Sequence, residues 1–135
     1  MKCRCLVRIA GLLALYCAST SVHAVTTCTV SATSVAFGVY DPFSASAKDS
    51  TGTITVNCSG FLFESVSYTL RLSTGGGGSY AGRRMASGAN TLNYQLYRDS
   101  ARTQIWGDGT SGTQTVTGGG TYFSSVTYTH TVYGR

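Results

Sequence analysis

The sequence predicts an all-β chain folded as an antiparallel β-sandwich, and three observations carry that prediction. Apolar and polar residues alternate over several short stretches, the period of a strand with one face on a core. Glycine clusters separate those stretches, as turns require. Beyond residue 24, Thr, Ser, Gly, Val and Tyr are abundant while Leu, Glu and Lys are sparse, a balance that disfavours helix. No window carries an apolar stripe at helical spacing with caps.

The first 24 residues read differently. Lys2, Arg4 and Arg8 make a basic start, Leu6 to Ala18 is apolar, and Ser21-Val22-His23-Ala24 places small residues where signal peptidase cuts. That is the pattern of a secretory signal peptide over residues 1–24. The apolar run is shorter than the ~20 residues that span a bilayer, so a membrane anchor is disfavoured and the mature chain is expected to have no membrane span. Removing residues 1–24 from the 135 leaves 111, the size of one domain over 25–135. Three of the ten basic residues and none of the acidic ones leave with it, so the net charge falls from +5 to +2. The basic character belongs largely to the signal, and no nucleic-acid partner follows from it. Cys3, Cys5 and Cys17 leave too. The remaining Cys28 and Cys58 have one intramolecular pairing in an oxidising compartment, and a disulfide is expected between them.

Taken in order, the first expected strand is Thr26 to Ala32, with Cys28 and Val30 on its inner face. Val35 to Tyr40 is a second short extended piece, ended by the only proline in Asp41-Pro42, and Ser44 to Ser50 is a polar loop. Gly52 to Cys58 alternates cleanly, with Ile54, Val56 and Cys58 inward. Ser65 to Ser73 alternates again, with Val66, Tyr68, Leu70 and Leu72 inward. Gly75 to Gly78 lacks the lysine and following helix of a phosphate loop and reads as a flexible connection. Tyr80 to Ser87 leads to a turn at Gly88-Ala89-Asn90. Gly118-Gly119-Gly120 reads as a turn, and Tyr122 to Tyr133 as the last strand, with Tyr122, Val126, Tyr128, His130 and Val132 on one parity.

Leu92 to Gly112 is the most distinctive stretch. Leu92, Tyr94 and Leu96 alternate with Asn93 and Gln95 as a half-buried strand. Arg98, Asp99, Ser100, Ala101 and Arg102 then make a polar reversal, Ile105-Trp106 re-enters the core, and Gly107-Asp108-Gly109 forms a tight turn.

These residues resemble the spore coat protein U domain family, which includes subunits of archaic, Csu-type chaperone–usher pili. The resemblance rests on CTVSATSVAFGVYDPFSA (28–45), TITVNCSG (53–60), YTLRLSTG (68–75), RRMASGANTLNYQLYRDSARTQIWGDGTSGT (83–113) and TVYGR (131–135). Its signature positions include Tyr94, Leu96, Arg98, Asp99, Trp106, Gly107, Asp108 and Gly109. The resemblance implies an immunoglobulin-like sandwich, incomplete because it lacks its final strand. It also implies a structural role in a surface pilus or spore-coat-like assembly. The expected partners are a periplasmic chaperone, an outer-membrane usher and neighbouring pilin subunits, with one partner lending the missing strand by β-augmentation. Two departures carry further expectations. Only Val25, Thr26 and Thr27 precede Cys28, too few for a donor strand, which suggests a tip subunit that receives without giving. Family members also continue past the YGR segment into another strand, so a truncation at the C-terminus is expected.

Other chemistries find less support. The single mature histidine, His130, lies in a Thr-rich strand, and no nucleophile–base–orienter set accompanies it. No catalytic, cofactor or metal residues are assigned. Asp99 and Asp108 are read as turn residues that bond local backbone, and Asp41, Asp49 and Asp108 lack calcium-loop spacing. Arg83-Arg84 and Arg98/Arg102 are read as solvated charges, with Arg98 and Asp99 a candidate local ion pair. The aromatics are expected mainly inside. The alternative function is a secreted adhesin that recognises a surface or glycan through exposed aromatics.

Overall fold

The computed structural model describes residues 26–135, so the signal peptide read over residues 1–24 lies outside the described residues. Among the described residues, eight strands form an all-β, antiparallel arrangement: β1 (Thr27–Ala32), β2 (Ser50–Ser59), β3 (Glu64–Leu70), β4 (Arg84–Ser87), β5 (Asn90–Asn93), β6 (Leu96–Tyr97), β7 (Val116–Tyr122) and β8 (Ser125–Gly134). One sheet has the order β1-β2-β8-β6, β3 pairs with β7, and β4 pairs with β5 as a hairpin. The long pairing of β2 with β8 runs from Ser50 opposite Gly134 to Ser59 opposite Ser125.

The period-two reading of β2 holds: Ile54, Val56 and Cys58 are buried between more exposed neighbours. Ile54, Val132 and Trp106 form the centre of the core, with Val35, Leu70, Leu72, Leu96 and Val116 packed around them. Trp106 is fully buried and donates its indole N–H to the Leu70 carbonyl, the partner that a buried indole needs.

Several expected elements are drawn differently. Val35 to Tyr40 has no strand partners among the described residues. It is nevertheless held in place, because Ser50 donates its hydroxyl to the Ala36 carbonyl at 2.7 Å. Val35 and Phe37 also close over Gly52 and Gly134, where a Cβ would collide with them. Leu92 to Leu96 is not one strand. β5 ends at Asn93, the Tyr94 N–H bonds the Arg83 carbonyl, and Gln95 exchanges backbone bonds with Arg135 (2.6 and 3.0 Å). The chain thus leaves the hairpin and joins the larger sheet within two residues. The alternation survives, but it serves two sheets.

Gly118 to Gly120 is not a turn; it lies inside β7, opposite Tyr68, Ser67 and Val66 of β3. A Cβ on Gly118 would fall 2.5 Å from the Tyr68 ring, and one on Gly119 would fall 2.1 Å from the Val66 carbonyl oxygen. These glycines permit close approach of backbone and ring, one of the reasons glycine occurs within strands. The reversal comes later, at Phe123-Ser124, where Gly60 and Phe63 donate to the Ser124 and Phe123 carbonyls.

Candidate functional site

The disulfide joins Cys28 to Cys58 across the β1–β2 ladder, where the two residues are direct partners. Cross-strand partners share a face of the sheet. Val30 therefore shares its face with Val56, and Ala32 with Ile54. Their burial differs sharply. Val56 and Cys58 are 1% exposed, whereas Val30 is 61% exposed and Cys28 and Ala32 are also open to solvent. The expectation that both cysteines lie inside is corrected for Cys28. Its parity is the inner one, but among the described residues nothing covers that face of β1.

The opposing layer is open in the same way. β3 pairs with β7 on one side, and no other described strand is bonded to it. Its inner residues Val66, Tyr68 and Leu70 are half-buried rather than buried. Tyr68 donates to or accepts from His130 Nε2 at 2.8 Å and packs on Tyr128 with centroids 5.3 Å apart. Burial pushes the Tyr68 phenol up, and Tyr128 adds to the shift. His130 is thus engaged by a phenol. Among the described residues, no group of three or more His, Cys, Asp or Glu could hold a metal ion. No helix in this range is long and apolar enough to cross a membrane.

The distinctive stretch is tied together by hydrogen bonds involving its own side chains. Asp99 accepts the backbone N–H groups of Thr103 and Gln104 and the Thr103 hydroxyl. Partial desolvation raises its carboxyl, but the bonds from Gln104 and Thr103 outweigh it and leave the group below its ordinary value. Arg98 does not pair with Asp99; it donates to the Thr115 carbonyl at 2.9 Å and ties the reversal to the start of β7. Asp108 accepts from the Thr110 hydroxyl and N–H, and those bonds hold it low. Gly107 is buried against Thr113, whose Oγ1 lies 2.4 Å from where a Cβ would be, and Gly109 has a φ of +93°. Trp106 carries the re-entry into the core, taking a backbone bond from its N–H to the Leu96 carbonyl at 2.9 Å. Tyr94 and Leu96 are half-buried.

Arg83 is a second correction. It is 1% exposed, not solvated. Its guanidinium donates to the Ser73 carbonyl from both Nε and Nη2, to Gln95 Oε1 from Nη1, and to the Trp106 carbonyl from Nη2 at 2.7 Å. The Tyr80 ring lies 5.2 Å from its Cζ. Burial pushes the guanidinium down from its usual value, with Tyr94 and Tyr80 opposing. Every partner is neutral, so this cation is held by carbonyls and a ring face rather than by a carboxylate. The signal in the sequence was the adjacent pair itself: in extended chain, Arg83 and Arg84 must point to opposite sides.

The aromatics are the third correction. Phe61, Phe63 and Phe123 are exposed, Phe63 at 74%. Phe63 meets Phe123 edge to face at 5.3 Å, at the end of the sandwich where β2 turns into β3 and β7 into β8. Phe63 also has a φ of +60°, uncommon for a bulky residue.

Fold and edge together define a class: an all-β domain with a well-made core on one side and, among the described residues, an inner face left open on the other. The chain belongs to the Spore Coat Protein U domain family, whose model matches residues 14–135. That family is associated with pilus and fimbrial subunits. No curated protein matches the chain.

Proposed function

We propose that this protein is an exported structural subunit of a surface pilus or spore-coat-like assembly that accepts a strand from a partner. The partners are a periplasmic chaperone during export, then an outer-membrane usher and a neighbouring subunit. The observation that carries the reading is the abrupt change in burial across one strand spacing, from Val56 to Val30. An extended donor with alternating apolar residues fits such an edge: its backbone satisfies the ladder and its side chains cover the face. Until it is covered, an open apolar edge promotes aggregation, which gives the chaperone its purpose.

Periplasmic co-expression with a pilus chaperone tests this. A soluble one-to-one complex is expected, weakened by Val30→Asp, which places a charge on the face to be covered. A chain that is soluble and stable alone and indifferent to the chaperone would refute the proposal. The exposed Phe61, Phe63 and Phe123 favour a second reading, an adhesive module that contacts an apolar surface. Retention on hydrophobic beads that survives Phe63→Ser with Phe123→Ser would count against it.

A further inference from the structure

A cleft of about 1230 Å³ lies between the 37–48 loop and the β4–β5 hairpin, reaching Tyr97 and Arg135 at its end. Its lining includes no residue of β1 or β3. It is an open cleft rather than an enclosed cavity, a shape that suits a chain-like ligand.

Its lining has a definite chemistry. Tyr40, Tyr94 and Tyr97 supply aromatic surface, and Thr91 and Asn93 supply small polar groups. The cations are Lys48, Arg84 and Arg135. Arg135 is already engaged, with both Nε and Nη2 at 2.8 Å from the Asp49 carboxylate. Lys48 and Arg84 are exposed and make no ion pair with a carboxylate among the described residues. The one carboxylate in the lining, Asp41, accepts the Phe43 N–H within its own turn. Two exposed cations lining one cleft with aromatic rings and amide or hydroxyl groups match a polymer with flat apolar faces, hydroxyls and carboxylates. Aromatic rings carry the apolar faces, and charge-assisted bonds carry the carboxylates. A nucleic acid would call for a larger basic surface than a net charge of +2 beyond residue 24 provides.

The geometry points to this cleft as a binding site for acidic polysaccharide, with uronate carboxylates on Lys48 and Arg84 and sugar rings against Tyr40 and Tyr94. The site extends the adhesive reading to a second place on the molecule and stands whether or not the phenylalanines contact a surface.

Titration of the full exported chain with tetragalacturonate, followed by calorimetry, tests it. Saturable binding is expected, weaker in higher salt as the Debye length falls from about 30 to about 8 Å between about 0.01 and 0.15 M. Lys48→Ala with Arg84→Ala should weaken it by at least about tenfold, the loss of one or more charge-assisted bonds. Tyr40→Ala should weaken it by about threefold or more. Native Trp106 fluorescence verifies that each variant is folded. Phe63→Ser with Phe123→Ser should leave tetragalacturonate binding unchanged, separating this site from the apolar one. Absence of binding, full affinity in the Lys48/Arg84 variant, or equal affinity for polyglutamate, oligothymidylate or neutral maltotetraose would overturn the proposal.

Discussion

Replacing Arg83 by alanine removes four hydrogen bonds from a side chain that is 1% exposed. Three acceptors lose those bonds: the Ser73 and Trp106 carbonyls and Gln95 Oε1. An acceptor left unsatisfied in the interior costs about 1–3 kcal/mol. Against that sum stands the relief of no longer desolvating a cation that has no carboxylate partner. The net expectation is a loss of about 3–5 kcal/mol, as when a buried polar network loses its central member. Urea unfolding provides the measurement, with the disulfide kept oxidised and the fluorescence of Trp106 as the probe. Trp106 is the only tryptophan, is fully buried and is bonded to Arg83 through its own carbonyl. With a denaturant slope of about 1–3 kcal/mol per molar, the midpoint should fall by at least about 1 M. Arg83→Lys should recover little, because a point charge cannot reproduce the planar fork. A midpoint within about 0.3 M of the parent for Arg83→Ala would refute the reasoning.

Reduction of Cys28–Cys58, separated by 30 residues, should lower stability by about 3–4 kcal/mol on the chain-entropy account. Intact mass showing two free thiols after export would exclude the bond. Acid should destabilise the chain as the pH falls below about 4. Asp49 is held low by the Arg135 hydrogen bond, and Asp99 and Asp108 are low as well. Their stabilising contributions are full above the ordinary value of 3.8 and are lost as the pH falls through the lower folded values. Unfolding profiles flat from pH 6 to about pH 2 would contradict this. Gly119→Val should cost more than about 2 kcal/mol, since its Cβ meets the Val66 carbonyl and its φ is +138°. Gly88→Ala, at φ +60° with open space around it, should cost only about 1–2 kcal/mol; equal losses in the two variants would argue against the close β3–β7 approach.

The sequence by itself determined the strands whose faces differ most in polarity. β2 was legible residue by residue because Ile54, Val56 and Cys58 alternate with threonines and asparagine, and a strand's two-residue period leaves no other assignment. The cysteine pairing followed from count, and the turn roles of Asp99 and Asp108 from the short reach of an aspartate side chain to nearby N–H groups. The resemblance carried by residues 28–135 named the family that the comparison then showed.

Tertiary structure decided whatever depends on which neighbour arrives. Parity set the inner face of β1, yet it could not say that Cys28 and Val30 would lie open, because burial needs a second layer and periodicity describes only the first. Arg83 looked like surface charge until Ser73, Gln95 and Trp106, all distant in sequence, supplied its acceptors. The three glycines at 118–120 looked like a turn until the Tyr68 ring and the Val66 carbonyl were found to need their missing side chains. Local pattern fixes which way a side chain points; only the assembled fold fixes what, if anything, it meets there.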